Sequence, residues 1–470
     1  MAQPDITVRE EENRMAISQL MDQQKSYYLT GATRGLDFRL GQLKKLKQAI
    51  VERESEIIQA LRTDLNKGEK EAYAFEIGIV YQEIAHVIKH LKRWMKPKKV
   101  KSPMTHSGSR SFIIPEPLGA ALIIAPWNYP FMLAFDPLVG AIAAGNTVVL
   151  KPSELAPAVS AVMTSIVRTT FESQYIAVVE GGVEESRALL EQPFDKIFFT
   201  GSVAVGKIVM EAAAKHLTRV TLELGGKSPC IVHHDASLKL AAQRIAFGKF
   251  SNAGQTCVAP DYLLVHQRVK EKLMSYLQEA IISLYGEKPL QCPDYGKIIS
   301  RRHYERLCHF LNDGKVAFGG GADDKTLQIE PTLLEDISWE LPVMQEEIFG
   351  PILPVLTYEN LDEVVGLIQA RPKPLALYVF SEDKKVQDTM LKRISFGGGC
   401  VNDTLMHFGS THLPVGGVGE SGMGSYHGEM SFHIFSHMKS ILKQTTRFDI
   451  PFRYPSSKIG FKIIRKLTKP

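Results

Sequence analysis

The chain has 470 residues, of which 44% are hydrophobic and 23% are charged, enough for a large buried core divided among two or three domains. Its formal net charge of +5 is modest and spread along the chain, so the composition does not indicate a nucleic-acid binder. The first residues are polar and acidic, without the basic start and apolar core of a signal peptide, and they predict a cytoplasmic protein.

Residues 10 to 96 carry apolar side chains at helical spacing, as in Leu40, Leu43 and Leu46, and predict helices that pack on a later part of the chain. The locally basic run at residues 90–101 lacks the aromatic platform or helix-turn-helix pattern of a nucleic-acid site. We interpret that run as a solvated helix end.

The stretch 118–154 is long and strongly apolar, which raises the question of a membrane span. Asn128, Asp136 and several prolines interrupt it, so it does not offer about twenty unbroken lipid-compatible residues. The stretch therefore predicts a buried strand, a loop, a helix and a second strand.

Short apolar runs alternate with helix-like segments from about residue 118 to residue 224. This alternation predicts a parallel sheet with helices on both faces, in which sites lie at the carboxyl ends of the strands. Several of the runs end in motifs suited to a site, namely PWN, KPSE, GS and ELGG. The sequence therefore predicts a functional site at one rim of the sheet.

The segment FFTGSVAVGKIV, residues 198–209, runs from a strand through Gly201 into a helix opened by Val205, Gly206 and Lys207. Backbone N–H groups and the positive end of the helix dipole favour a phosphate there. The glycine spacing, G-x-x-x-x-G, differs from the usual dinucleotide fingerprint, and a plain glycine turn stays open as the alternative.

Residues 224–407 resemble a second α/β unit, which carries Cys257 in a loop of small and polar residues. A free thiol is mostly protonated near neutral pH, so a nucleophilic cysteine needs electrostatic help. Glu223, at a strand end, is a candidate general base, and the amide of Asn128 is a candidate oxyanion donor. Taken singly, a cysteine is more often a core residue and a glutamate a surface residue.

Two other roles for Cys257, in a disulfide and in a metal site, have little support. The five cysteines are few, odd in number and scattered, as in a protein of a reducing compartment. There is no CxxC motif, and the helix-spaced pair His433 and His437 lacks the glutamate of a zinc hydrolase motif. The sequence therefore predicts no disulfide framework and no metal site.

The C-terminal segment 456–470 has a basic amphipathic pattern on a helical wheel. Cations fill one arc, and apolar residues fill the other, namely Ile459, Phe461, Ile463, Ile464 and Leu467. Such a helix lies on an anionic membrane surface or docks its apolar side on its own protein, and both interpretations stay open.

A set of motifs in a fixed order resembles the aldehyde dehydrogenase superfamily: PWNYP, KPSE, FTGSVAVG, LELGGKSP, GQTC, QEEIFGP and PVGGVGESGMGSYHG. The resemblance covers about residues 15–455, and KPSE, VNDTLMHF and the tail resemble the class 3 and fatty aldehyde dehydrogenase branch. It implies an α/β fold with two doubly wound parallel-sheet domains and a small β oligomerisation domain. The implied boundaries are 1–99 and 118–223 for the NAD(P)-binding domain, 224–407 for the catalytic domain, 100–117 and 408–450 for the oligomerisation segments, and 451–470 for the tail.

The resemblance also assigns roles to residues at the matching positions. It implies that Cys257 is the nucleophile, that Glu223 activates the hydrolytic water, and that Asn128 with the Cys257 backbone N–H forms the oxyanion hole. The implied site for NAD, with NADP as a second cofactor, is made up of Trp127, Lys151, Ser153, Glu154, Gly201, Ser202, Gly206, Leu224, Gly225, Glu347 and Phe349. Glu154 would repel the additional phosphate of NADP, yet this branch often accepts both cofactors.

The implied function is the NAD(P)-dependent oxidation of apolar aldehydes, with medium or long aliphatic chains or similar groups, to carboxylic acids through a Cys257 thioester. Two alternatives stay open: a relative that passes the thioester to coenzyme A or another acceptor, and a non-catalytic membrane-associated relative. The expected partners are a small aldehyde and a second copy of the chain in a homodimer, with no nucleic acid. The expected location is cytoplasmic, with peripheral membrane contact if residues 456–470 bind lipid.

Overall fold

The computed structural model of the chain describes residues 6–469. Residues 1–5 and Pro470 belong to the predicted segments 1–99 and 451–470 and lie outside the described residues. Within residues 6–469, no helix combines the length and the apolar character needed to cross a bilayer.

The helices of the described residues begin in the N-terminal segment, as the apolar spacing predicts, and continue between the strands. They are α1 (Ile6–Leu29), α2 (Leu36–Glu52), α3 (Glu54–Leu65), α4 (Glu69–Ala72), α5 (Gly78–Trp94), α6 (Met132–Ala144), α7 (Pro157–Thr170), α8 (Val183–Leu190), α9 (Val203–Ala214), α10 (Leu238–Phe250), α11 (Lys270–Tyr285), α12 (Arg301–Phe310), α13 (Pro342–Gln345), α14 (Leu361–Gln369), α15 (Lys384–Arg393), α16 (Glu429–Ile434) and α17 (Gly460–Thr468).

The strands begin where the basic run leaves α5. They are β1 (Lys98–Val100), β2 (Arg110–Pro117), β3 (Ala120–Ile124), β4 (Thr147–Lys151), β5 (Ile176–Val178), β6 (Lys196–Gly201), β7 (Arg219–Leu224), β8 (Pro229–Val232), β9 (Tyr262–His266), β10 (Lys315–Phe318), β11 (Ala322–Asp323), β12 (Gln328–Ile329), β13 (Thr332–Glu335), β14 (Ile352–Tyr358), β15 (Ala376–Phe380), β16 (Gly398–Val401), β17 (Gly422–Met423) and β18 (Ser436–Lys443).

The first large sheet has the order β17-β7-β6-β3-β4-β5 among the described residues. Its strands run parallel except β17, which pairs antiparallel with β7. The strands β3 and β4 are almost entirely buried, because helices cover both faces of such a sheet. The stretch 118–154 thus forms the predicted strand, loop, helix and strand, as β3, α6 and β4.

The second large sheet has the order β10-β13-β14-β9-β8-β15-β16 in the described part of the chain. All of its pairings are parallel except that of β10 with β13. The expected α/β class with two parallel-sheet units is confirmed. The loop that carries Cys257 enters this sheet at the start of β9.

A third sheet, β1-β2-β18, pairs the strand before the first large sheet with a strand near the C-terminus. The strand β18 runs antiparallel to β2 from Ser436 opposite Pro117 to Lys443 opposite Arg110. The interpretation of residues 90–101 as a helix end was incomplete: α5 ends at Trp94, and Lys98–Val100 pairs with β2. The division into domains and oligomerisation segments stays a prediction.

Candidate active site

The loop before β9 holds Cys257 in a backbone that ordinary residues seldom adopt. Asn252 and Ala253 have φ values of 51° and 50°, in the left-handed region. Gly254 has a φ of 73°, and a Cβ there would collide with the carbonyl group of Gly350. Because such strain persists only where the surroundings impose it, the loop is fixed against the segment that contains Gly350.

Asn128 is tied to this loop through both its side chain and its backbone. The Asn128 side-chain amide donates to the Gln255 carbonyl oxygen at 3.0 Å, and the Asn252 amide donates to the Asn128 carbonyl oxygen at 2.9 Å. Asn128 is 3% exposed. The end of the first sheet and the cysteine loop of the second unit therefore meet at Asn128.

A buried ion pair holds the backbone of Asn128 through a hydrogen bond to its carbonyl oxygen. The Lys67 ammonium donates to the Glu76 carboxylate at 2.5 Å and to the Asn128 carbonyl oxygen at 2.8 Å. The other Glu76 oxygen accepts from the backbone N–H groups of Phe131 and Met132. Neither Lys67 nor Glu76 was singled out from the sequence, since a lone Lys and a lone Glu carry no motif.

Glu76 lies in a single turn of π-helix, Tyr73–Ile77, that joins α4 to α5. Such turns re-aim side chains within a helix and occur often at functional sites. The turn directs Glu76 to the start of α6. Its carboxylate there accepts from the backbone N–H groups of Phe131 and Met132, which have no partner within the helix.

Glu223 lies near the carboxyl end of β7, as predicted, and is 5% exposed. Its Oε1 atom is buried without a hydrogen-bond partner. Burial raises the pKa of Glu223 well above its ordinary value, while the nearby Lys196 ammonium opposes that shift. A buried carboxyl group with a raised pKa and an oxygen that lacks a hydrogen-bond partner is typical of an acid–base group rather than of a structural ion pair.

Cys257 is partly exposed at the base of a cavity. Burial, together with the carboxylates of Glu347 and Glu223, raises the pKa of the Cys257 thiol to about 12. Coulomb interactions are stronger in a buried site than in water, and both carboxyl groups act on the sulfur. The structure brings Cys257, Glu223 and Asn128 to one place.

The cavity above Cys257 has a volume of about 290 Å³ and mostly apolar walls. Its walls come from α5, α6, the cysteine loop and the segment after β16, and include Phe75, Ile79, Met132, Leu133, Leu405 and Phe408. An apolar cavity that ends on a thiol suits an apolar molecule with one reactive end.

A second group of predicted residues lies at the carboxyl end of β4. Lys151 is 2% exposed; its ammonium donates to the Pro152 carbonyl oxygen at 2.8 Å and lies 3.6 Å from the Glu154 carboxylate. Burial lowers the pKa of Lys151, and Glu154 opposes that shift. The Ser153 hydroxyl accepts from the Leu155 N–H, and Glu154 itself is exposed, so hydroxyl groups of a ligand have access to its carboxylate.

The next strand end presents a helix N-terminus. The strand β6 ends at Gly201, the Ser202 hydroxyl accepts from the Val205 N–H at 3.4 Å, and α9 begins at Val203, two residues earlier than predicted. A Cβ at Gly206 would collide with the buried side chain of Leu224, so the glycine lets α9 pack closely on β7. The open end of α9 suits a phosphate group.

The remaining predicted residues connect this rim to Cys257. A Cβ at Gly225 would collide with the Glu347 carboxylate, which shows how closely the two segments approach. The rings of Trp127 and Phe349 meet edge to face, with centroids 5.3 Å apart. Burial raises the pKa of Glu347 to about 8.

These residues fit an NAD(P) molecule because they offer a suitable group for each of its parts. Glu154 and Lys151 suit a ribose, the end of α9 suits the diphosphate, and Glu347 suits the second ribose beside the thiol.

Lys196 is a residue that the sequence analysis did not single out. Its Nζ donates to the hydroxyl of Thr221, two residues before Glu223 on β7, and burial lowers the pKa of Lys196 to about 7.

Comparisons with known proteins show the family to which the chain belongs. The model of the Aldehyde dehydrogenase family matches residues 10–441. The chain is 50% identical over 455 residues to 4,4'-diaponeurosporen-aldehyde dehydrogenase of Staphylococcus aureus, covering 96% of this chain and 99% of that protein. It is 45% identical over 444 residues to the dimeric NADP-preferring aldehyde dehydrogenase of Canis lupus familiaris, covering 94% of this chain and 98% of that one.

A solved structure described as the substrate-bound state of Staphylococcus aureus AldH superposes on the chain with a TM-score of 0.95. The two are 50% identical, and the match covers 96% of this chain and 99% of that chain.

Proposed function

The chain belongs to the aldehyde dehydrogenase family and is an NAD(P)-dependent oxidoreductase that oxidises aldehydes, and from this premise we propose the substrate class, the site residues and the mechanism. The proposed reaction converts an apolar aldehyde, with a medium or long aliphatic chain or a similar group, and water into a carboxylic acid. The observation that carries it is the mostly apolar cavity that Cys257 helps to line.

Cys257 is proposed as the nucleophile. Its thiolate attacks the aldehyde carbon and forms a thiohemiacetal, in which the former carbonyl oxygen carries negative charge. The Asn128 side-chain amide and the Cys257 backbone N–H stabilise that charge, because positioned donors in a site with little water act strongly on it. Lys67 and Glu76 are positioning residues, since they hold the Asn128 backbone in place.

NAD(P), when bound, would supply the acceptor for the hydride that leaves the aldehyde carbon, which turns the thiohemiacetal into a Cys257 thioester, and its positive charge would favour the Cys257 thiolate. The residues proposed to hold the cofactor are those of the rim described above. They are Trp127, Lys151, Ser153, Glu154, Gly201, Ser202, Gly206, Leu224, Gly225, Glu347 and Phe349.

Glu223 is proposed as the general base for the second half of the reaction. It takes a proton from a water molecule, and the resulting hydroxide attacks the thioester carbon and releases the carboxylic acid and the Cys257 thiolate. The unpartnered Oε1 atom supports this role, because it leaves an acceptor free for the water. A base of this kind favours water over a thiol acceptor such as coenzyme A.

The cofactor preference is proposed to favour NAD without excluding NADP. The exposed Glu154 carboxylate repels a 2′-phosphate. The Lys151 ammonium lies 3.6 Å from the Glu154 carboxylate, however, and offsets part of that negative charge.

The test of this function is cofactor reduction, followed by absorbance, with aldehydes from butanal to dodecanal and with NAD or NADP. If the acyl chain enters the apolar cavity, each CH₂ group adds about 0.8 kcal/mol, or roughly fourfold in kcat/KM, until the cavity is full. A flat series would refute the apolar preference. Strict dependence of the rate on coenzyme A would refute hydrolysis as the second step.

Peripheral membrane contact through residues 456–469 is proposed as well. The helix α17 leaves most of its apolar arc in solvent: Ile459, Phe461, Ile464 and Leu467 are 63%, 74%, 37% and 38% exposed. Docking on the protein itself would cover these side chains, so their exposure favours an anionic bilayer that pairs with the cations of the other arc. Cosedimentation with anionic but not with zwitterionic vesicles, lost in Phe461→Ser/Leu467→Ser, is the expected result. Equal sedimentation of the variant would contradict it.

A homodimer is proposed through the third sheet. The strand β18 is an eight-residue edge with exposed Met438 and Leu442, which are 36% and 47% exposed. Edge strands of this length invite pairing or cover by another chain. Light scattering of the full chain should give twice the monomer mass, and Met438→Lys/Leu442→Lys should give the monomer. A monomeric parent protein would overturn the proposal.

A further inference from the structure

Three histidines meet at the carboxyl ends of β8 and β9 in the second large sheet, whereas Cys257 lies before the start of β9. Adjacent residues His233 and His234 follow β8, and His266 ends β9. One ring nitrogen from each histidine lies within 4.8 Å of the other two. Cys257 precedes β9 and His266 ends it, so the strand separates this cluster from the reacting thiol.

We propose that His233, His234 and His266 form a binding site for a divalent late transition metal ion such as Zn²⁺. Imidazole nitrogen is a preferred ligand of Zn²⁺, Ni²⁺ and Cu²⁺, whereas Mg²⁺ and Ca²⁺ prefer oxygen. Three such ligands around one point leave a fourth position for water. The sequence analysis predicted no metal site, because these ligands lack the spacing of a known metal motif.

The backbone around the site is already fixed. The His233 N–H donates to the Phe380 carbonyl oxygen at 3.0 Å, and the Ala236 N–H donates to the His233 carbonyl oxygen at 3.1 Å. The Asp235 carboxylate accepts from the Ser381 hydroxyl and from the Asp383 N–H. The turn that presents His233 and His234 is therefore anchored to the end of β15, so little ordering is needed when an ion binds.

A hydrogen-bond chain leaves a lone pair of His233 free for the ion. The Tyr358 hydroxyl lies 3.4 Å from the Val232 carbonyl oxygen, to which it donates, and 3.2 Å from Nδ1 of His233. When the hydroxyl donates to Val232, its oxygen accepts the proton of Nδ1, and Nε2 of His233 carries the lone pair. A ligating histidine commonly donates its second nitrogen in this way.

The amide of Arg268 competes with a metal for His266, since it donates to Nδ1 of His266 at 3.2 Å. Ligation by that ring gives up this one neutral hydrogen bond, which lowers the affinity without removing the third ligand. Asp235 directly follows His234 in the chain, and its negative charge favours a cation nearby, which opposes that loss.

An ion at this site would join the carboxyl ends of β8 and β9, next to the end of β14 at Tyr358. Its role is structural: it stabilises the strand that follows the cysteine loop. Because a metal that binds only the folded chain shifts the unfolding equilibrium, the site should raise the thermal midpoint.

The test uses the full-length Cys257→Ala protein, stripped with a chelator, so that the reactive thiol does not compete for metal. Calorimetry with Zn²⁺ should show equimolar binding and a raised unfolding midpoint, with no effect of Mg²⁺. Adding His234→Ala or His266→Gln should weaken binding by at least about tenfold, and Tyr358→Phe should weaken it less.

Two controls keep the result specific. His216→Ala removes an exposed histidine elsewhere and should leave Zn²⁺ affinity unchanged, because His216 is remote from the cluster in the chain and lies after α9. Absence of Zn²⁺ binding, or equal affinity in the parent and in both His234→Ala and His266→Gln, would overturn the proposal. A loss of Zn²⁺ binding confined to His90→Ala would also overturn it, because that result would place the ion among the neighbouring rings of His86, His90 and His412.

Discussion

Two groups of buried charged or ionisable side chains at the candidate site differ in how well they are paired. The Lys67 and Glu76 side chains are fully buried, and their polar atoms bind each other, two backbone amides and the Asn128 carbonyl group. Glu223 and Cys257 form the second group, in which the Glu223 Oε1 atom has no partner and the Cys257 pKa is raised to about 12.

The difference separates support from chemistry. A buried polar group without a partner is costly, so a fold keeps one where a substrate or a water molecule completes it. A fully paired group is already satisfied and serves to hold its neighbours. Four changes, in order of decreasing effect, test this distinction.

Cys257→Ala should have the largest effect, because the proposed reaction forms its covalent bond at that sulfur. We expect kcat to fall by on the order of 10⁶-fold, as in other enzymes that lose their nucleophile. The steady-state rate of cofactor reduction with decanal measures it. Cys292→Ala, which changes a partly buried cysteine outside the site, should keep the parent rate. A retained rate in Cys257→Ala would remove the thioester from the mechanism.

Glu223→Gln should separate the two halves of the reaction. The amide cannot accept a proton from water, so steady-state turnover should fall by about 10²–10⁴-fold, whereas the first reduction of cofactor persists as a burst. Rapid-mixing absorbance resolves the burst from the later phase. Loss of the burst together with turnover would assign Glu223 to the first half instead.

Lys67→Met should act on stability, since it leaves the Glu76 carboxyl group buried without its cation. Breaking a buried pair in this way costs about 3–5 kcal/mol in the free energy of unfolding. The double variant Lys67→Met/Glu76→Gln should regain part of that loss, because the glutamine oxygen still accepts from Phe131 and Met132 without a buried charge. Urea unfolding midpoints measure both. A double variant less stable than Lys67→Met would contradict the pairing argument.

Glu83→Gln should give the smallest effect, a change in how stability depends on pH. Burial raises the pKa of Glu83, next to Asp136 and without a cation like Lys67. A raised carboxyl pKa means that the folded chain binds more protons than the unfolded chain above the ordinary carboxyl range. Stability is then present at low pH and lost as pH rises, by up to about 1.4 kcal/mol per pH unit.

Thermal midpoints of Glu83→Gln across neutral and alkaline pH should therefore fall less steeply than those of the parent protein. Glu69→Gln is the matched control, because Glu69 is exposed and its substitution should leave the slope unchanged. Equal slopes in Glu83→Gln and the parent would show that the carboxyl group is ionised in both states.

Local patterns predicted much of the fold. Helical spacing gave α1 to α5, and alternation of apolar runs with helices gave the parallel strands from β3 to β7. The strand β1 was missed, because its residues, two lysines and a valine exposed on an edge, have no apolar alternation to reveal them. The order of strands, with β17 beside β7, depends on contacts between distant segments and was not predictable from either segment.

The sequence by itself determined which residues are available for chemistry, since Cys257, Glu223 and Asn128 lie in motifs that can be recognised one by one. Only the tertiary structure decided which polar groups are satisfied. Lys67 pairs with Glu76 nine residues along the chain and outside any motif, the packing around Glu223 leaves one of its oxygens without a partner, and His233 meets His266 from the end of a different strand. The cost of leaving a group unpaired depends on burial and on the partners within hydrogen-bond distance, and both arise only when the chain is folded.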